Sequence, residues 1–172
     1  MNALSALDGL EAAAAGEALA RCCGSSRWID AMIRARPFLT ESGLHTAAAR
    51  AFAGLERADW LEAFAHHPRI GDRAALEARF AATRSWSASE QAAVDHAGPD
   101  VLDALAAANR AYESRFGYVF LICATGKTPD EMLASAETRL HHDPEEELRV
   151  AAAEQRRITE LRLSKLLEGG LA

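Results

Sequence analysis

The stretch Ala65-His66-His67-Pro68-Arg69-Ile70-Gly71-Asp72 sets two imidazoles at the end of an alanine-rich segment, against a proline that forbids more helix. His67 precedes Pro68, so its backbone is pushed out of the α region and it belongs at the carboxyl end of a helix. The helix macrodipole favours a cation there, which helps an imidazole hold a proton near neutral pH, the condition a general acid needs. A histidine in that place can equally bond the free carbonyls of the last turn and do nothing else. His66 points about 100° further round the helix and is expected to face solvent.

Ser87-Ala88-Ser89-Glu90-Gln91 crowds hydrogen-bonding groups into one first helical turn. Ser87 with Glu90 satisfies a capping box, which is reason enough for both residues. The same turn, with free N–H groups beside a carboxylate, also suits a polar, amide-rich ligand. Near the C-terminus Leu148, Ala152, Gln155, Thr159, Leu163 and Leu166 fall on one helical face with Ile158 flanking, and Arg162 falls inside that stripe. A guanidinium aimed at the core needs an anion, either a protein carboxylate or the carboxylate of a ligand held by its planar fork. Asn109, inside the apolar stripe of its own helix, raises the same question for an amide.

Two other patterns lead nowhere. Ala124-Thr125-Gly126-Lys127-Thr128 looks like the tail of a phosphate loop, but Leu121 stands where the first glycine is needed. His66, His67, His96, His141 and His142 contain no pair at helical metal-site spacing and no cysteine nearby, so no metal is expected.

The elements that must position these residues read as helices. Alanine is abundant while Val, Ile and Thr are sparse, which favours helix over sheet. Helices are expected over 8–21, over "SSRWIDAMIRARPF" with Ser25 or Ser26 as N-cap, over 42–53, over 57–66, over "RAALEARFAATR" after an Asp72 N-cap, over a next segment closed by Gly98-Pro99, and over 100–116. Thr128-Pro129-Asp130-Glu131 is a strong helix start, and Asp143-Pro144-Glu145 opens a last helix running to about Glu168. Tyr118-Val119-Phe120-Leu121-Ile122-Cys123 alone resembles a strand, and it has no partner. The expected architecture is therefore all-α: one domain over residues 1–172, a multi-helix bundle with one irregular apolar connection.

Composition narrows the function classes. A share of 49% hydrophobic and 26% charged residues fits a globular chain with a real core. A net charge of −6 without a basic block argues against a nucleic-acid partner, and no apolar run is long enough to span a membrane. The N-terminal residues lack the basic region of a secretory signal. Ser164-Lys165-Leu166 resembles a peroxisomal address but is followed by six residues. Cys22, Cys23 and Cys123 form an odd set without zinc spacing, so reduced thiols in the cytoplasm are expected. A metal-dependent hydrolase and a non-enzymatic helical interaction module stay open on these grounds.

Four motifs, "HPRIGD", "SASEQ", "YESRFGYVFLICATGKT" and "ITELRLSKLL", occur in this order, with "LSALDG" upstream and "SSRWIDAMIRARPF" between. Together they resemble the family of OHCU (2-oxo-4-hydroxy-4-carboxy-5-ureidoimidazoline) decarboxylases over nearly the whole chain. The resemblance implies an all-helical, cofactor-free, homodimeric lyase of urate degradation that releases carbon dioxide and (S)-allantoin from its small-molecule substrate. It implies that the pathway neighbour, a hydroxyisourate hydrolase, is a separate protein. It places the catalytic histidine on His67, with Glu90 and Arg162 beside it in the reaction. Substrate contacts fall on Pro68, Ser87, Gln91 and the run Phe120, Leu121, Ile122 and Cys123.

Overall fold

Four polar side chains start four helices in the same way, each accepting a hydrogen bond from the backbone N–H three residues on. Asn2 accepts from Ser5 at 2.8 Å, Ser25 from Trp28 at 3.3 Å, Thr40 from Gly43 at 3.0 Å and Thr128 from Glu131 at 3.2 Å. These caps belong to a computed structural model that describes residues 2–68 and 99–169. The described helices are α1 (Ala3–Gly9), α2 (Ala12–Ala20), α3 (Ser26–Arg34), α4 (Glu41–Ala53), α5 (Arg57–Ala65), α6 (Pro99–Phe116), α7 (Pro129–Arg139) and α8 (Pro144–Gly169). The fold is all-α, and no strand occurs among the described residues. Among them, too, no helix is long and apolar enough to cross a membrane. The helix expected after Asp72, and the next one closing at Gly98, lie outside the described residues.

The chain divides into two compact units, with boundaries after His66 and after Ala151. The first holds α1 to α5 and the later part of α8. Its core is Leu7, Leu19, Trp28, Met32, Leu44 and Leu163, all fully buried. The Trp28 indole N–H donates to the Ala48 carbonyl at 3.3 Å, which ties α3 to α4.

The single helix expected over 8–21 is two helices. Leu10 and Glu11 are extended, with ψ of 147° and 152°. Long-range bonds explain the break. Arg36 donates to the carbonyls of Leu7 at 3.0 Å and Leu10 at 2.6 Å, and the Asp8 carboxylate accepts from the N–H groups of Phe38 at 2.8 Å and Leu39 at 3.1 Å. Carbonyls claimed by a guanidinium gain more than a helix continuing past Gly9 would offer.

The second unit holds α6, α7 and the start of α8. Leu102, Leu105 and Ala106 of α6 pack with Met132 of α7 and with Ile122 from the segment between them. The Thr128 start forms the full capping box, with Thr128 N–H donating back to Glu131 at 2.8 Å. Asp143 caps α8, accepting from Glu145 N–H at 2.9 Å. Three glutamates in that first turn, Glu145, Glu146 and Glu147, suit the positive end of the helix dipole.

Residues 118–123 form no strand, as their lack of a partner implies. Gly117 turns the chain out of α6 with φ of 81°, and the segment then leans on α6 through its rings. The Tyr112 ring meets Phe120 edge-on at 5.1 Å and Tyr118 at 5.8 Å.

Candidate active site

α5 ends where the proline requires. Its C-cap is His66, whose N–H reaches the Ala63 carbonyl at 3.3 Å, and His67 follows half-buried, with Pro68 exposed. His67 thus directly follows the carboxyl end of α5. His66 is exposed as expected, and its ring lies over Gly24: a Cβ on Gly24 would come within 2.3 Å of the His66 Cγ.

Arg162 stands on α8 at the edge of its buried stripe. Leu148, Ala152, Gln155, Ile158, Thr159, Leu163 and Leu166 are buried, and Arg162 is half-buried. No carboxylate lies within ion-pair distance of its guanidinium among the described residues. Two acids of this unit are engaged elsewhere. Glu62 accepts from the N–H of Ser26 at 3.0 Å and from its hydroxyl, and Glu154 pairs with Arg157 at 2.7 Å. The groups acting on Arg162 are instead the thiols of Cys22 and Cys23, in the buried loop between α2 and α3. Burial lowers the Arg162 pKa, while the attraction of those thiols raises it.

Neither thiol neutralises the guanidinium. Burial pushes Cys22 up to about 11, with Arg162 and Arg21 pulling the other way. Cys23 is also raised by burial, against hydrogen bonds from the Ser25 N–H and the Thr159 side chain. Near neutral pH both are therefore S–H groups. Thr159 is fixed in turn by Gln155, whose amide donates to its hydroxyl at 3.2 Å.

The segment at 119–122 carries donors with no acceptor among the described residues. Leu121 is 3% exposed and Ile122 4%, so water reaches them poorly. Yet among the described residues the N–H groups of Val119, Phe120, Leu121 and Ile122 find no acceptor. A buried amide left unpaired is costly, so this run is suited to a ligand carbonyl. Asn109 adds to the pattern: its Oδ1 is buried without a hydrogen-bond partner among the described residues.

One cluster in this unit was not singled out from the sequence. Arg139 at the end of α7 is 5% exposed and Glu147 in the first turn of α8 is fully buried. They pair at 2.6 Å, and the other carboxylate oxygen of Glu147 lies 2.8 Å from His142 Nδ1. Tyr112 donates its hydroxyl to Glu147. Burial raises the Tyr112 pKa far above its usual value, and the bond to Glu147 raises it further. The signal was present, since Met132, Ala136 and Arg139 follow one another on one buried face of α7. Ser87, Glu90 and Gln91 lie outside the described residues.

The family model for OHCU decarboxylase matches residues 8–164. The chain belongs to the OHCU decarboxylase family. As a member it is an enzyme, a decarboxylase of the carboxy-lyase class. This decarboxylase is 37% identical over 145 residues to the "Uric acid degradation bifunctional protein TTL" of Arabidopsis thaliana, a match covering 84% of this chain and only 45% of that protein. It is 29% identical over 143 residues to the 2-oxo-4-hydroxy-4-carboxy-5-ureidoimidazoline decarboxylase of Haloferax volcanii, covering 81% of each. Among solved structures, that of an OHCU decarboxylase in the presence of (S)-allantoin matches with a TM-score of 0.70 at 36% identity, covering 87% of this chain and 96% of that one. An (S)-allantoin synthase shares the fold, with a TM-score of 0.68 at 20% identity over 94% of this chain and 53% of that one.

Proposed function

We propose that this decarboxylase acts on OHCU, breaking the bond between its carboxylate and its hydroxyl-bearing carbon to give (S)-allantoin and carbon dioxide. Family membership supports decarboxylation of OHCU in urate degradation, and the relatives named for that substrate and for uric acid degradation agree with it. The observation that carries the reading is Arg162, a half-buried guanidinium with protonated thiols for neighbours and no carboxylate in reach among the described residues. A planar fork of that kind suits a substrate carboxylate and orients the bond that breaks.

In this reading residues 1–172 work as one catalytic domain. Arg162 holds the carboxylate. The N–H groups along Phe120, Leu121, Ile122 and Cys123 meet the ring carbonyl within an apolar wall, and Ser87, Glu90 and Gln91 bond the ureido and ring N–H groups. Pro68 fixes His67. As carbon dioxide leaves, its bond pair enters the adjacent imine and the hydroxyl carbon becomes a carbonyl. His67 takes the hydroxyl proton and delivers a proton to one face of the neighbouring carbon, while one solvent proton balances the charge. Because the electrons pass into groups of the substrate itself, the reaction is proposed to need no cofactor. The enzyme is further proposed to be a cytoplasmic homodimer whose substrate is supplied by a hydroxyisourate hydrolase.

The test is direct. OHCU generated enzymatically from urate in the cuvette is treated with the protein, and circular dichroism is followed. Rapid appearance of one allantoin enantiomer is expected, and a signal no faster than the spontaneous background overturns the reading.

A further inference from the structure

An irregular apolar run inside a helical protein has no ladder to hold its shape. Here one side chain does so. Arg139 donates through Nη1 to the Leu121 carbonyl at 2.7 Å. Its Nε and Nη2 donate to the same oxygen of Glu147, at 2.8 Å and 2.6 Å. Its guanidinium carbon lies over the Phe120 ring, 4.6 Å from the centroid. Glu147 is fixed in turn by Tyr112 and His142. The guanidinium therefore grips the run at two successive residues while being held from behind by a buried carboxylate.

We propose that Arg139, backed by Glu147, is a positioning residue for the decarboxylase: it sets the backbone of Phe120, Leu121 and Ile122 so that their N–H groups are ready for the substrate. The inference rests on the reading of that run as the substrate wall. A buried ion pair is a poor way to gain stability alone, because desolvation of both charges offsets much of their attraction. It is a good way to fix one geometry, since a guanidinium offers several donors in a rigid plane. Lysine can satisfy Glu147 or Leu121 but not both sides of the clamp, and it lacks the rigid set of donors that a guanidinium holds beside Phe120.

The experiment compares three variants with the wild type, by allantoin titration and by amide hydrogen exchange of the ligand-free protein. Arg139→Lys is expected to weaken (S)-allantoin binding by about tenfold, the worth of one charge-assisted hydrogen bond, and to speed exchange at 119–123. Thr128→Ala removes the α7 cap and lowers the melting temperature without touching the run, so its binding should be normal. A merely structural role for Arg139 would make Arg139→Lys behave like Thr128→Ala, with normal binding, and that result overturns the proposal. If Arg139→Lys does not fold, the double variant Arg139→Met with Glu147→Leu decides, because it leaves no unpaired charge behind. That variant, folded yet binding allantoin as the wild type does, would overturn the proposal. Should the wild type neither form nor bind (S)-allantoin, the reaction assigned above fails instead, and exchange at 119–123 still decides whether Arg139 fixes the run.

Discussion

The Cys22 thiol lies in the field of the Arg162 guanidinium, and burial outweighs that field: the thiol is pushed up to about 11 from an ordinary value of 9.0. The folded state thus holds this proton more tightly than the unfolded chain does. Its contribution to stability is full below pH 9 and is lost as pH climbs through about 11. Urea unfolding between pH 8 and 11 should show wild-type stability falling by roughly 2 kcal/mol more than that of Cys22→Ala, at 1.4 kcal/mol for each tenfold shift in proton affinity. Parallel slopes for the two proteins would show that the buried thiol contributes nothing.

Arg162→Lys keeps the charge and loses the fork. The substrate carboxylate should then be held by one donor direction instead of two parallel bonds. KM for OHCU is expected to rise about tenfold or more, with folding unchanged because Arg162 has no carboxylate partner to lose among the described residues. Steady-state kinetics against OHCU made in the assay measure this, and wild-type constants would remove Arg162 from the site.

What was legible in the sequence was local. The Thr128–Glu131 box, the Asp143 start and the Ser25 cap depend on side chains three residues or fewer from the groups they bond, and each helix forms where expected. The unpaired apolar run at 118–123 was readable as irregular because it has no second strand to join. The break between α1 and α2 was not, because Arg36 and Asp8 make it across 26 to 31 residues. For the site, counting helical faces found Arg162 but could not say which groups surround it. Arg139 gave the same stripe signal, and its role became visible only with its two grips on Phe120 and Leu121. No local rule reports that contact, since it joins residues 18 apart.

Gly24 is required by close approach rather than by backbone conformation. A Cβ there would lie 2.3 Å from the His66 Cγ and 2.6 Å from its Cβ, too near the root of the side chain for a simple rotation to relieve. Gly24→Ala should cost about 1–3 kcal/mol, the usual penalty of overpacking. His66→Ala in the same molecule should restore most of the loss, because the clash then has no partner. A double-mutant cycle by chemical denaturation checks the coupling; additive effects would mean that the two residues do not meet.

His67→Asn separates holding from turning over. Asparagine keeps a hydrogen-bonding side chain of similar reach at the end of α5 but cannot carry a proton between two atoms. If His67 takes the hydroxyl proton and returns one to carbon, kcat should fall by about 100-fold to 10,000-fold, the range ascribed to a positioned acid or base. Binding of (S)-allantoin should change little, because the carboxylate fork and the amide donors are untouched. The product that still forms should be racemic, since protonation from water has no preferred face. Rate by ultraviolet absorbance, binding by calorimetry and enantiomeric excess by circular dichroism read these three separately. A His67→Asn protein that turns over at the wild-type rate, with full enantiomeric excess, would take the proton shuttle away from His67.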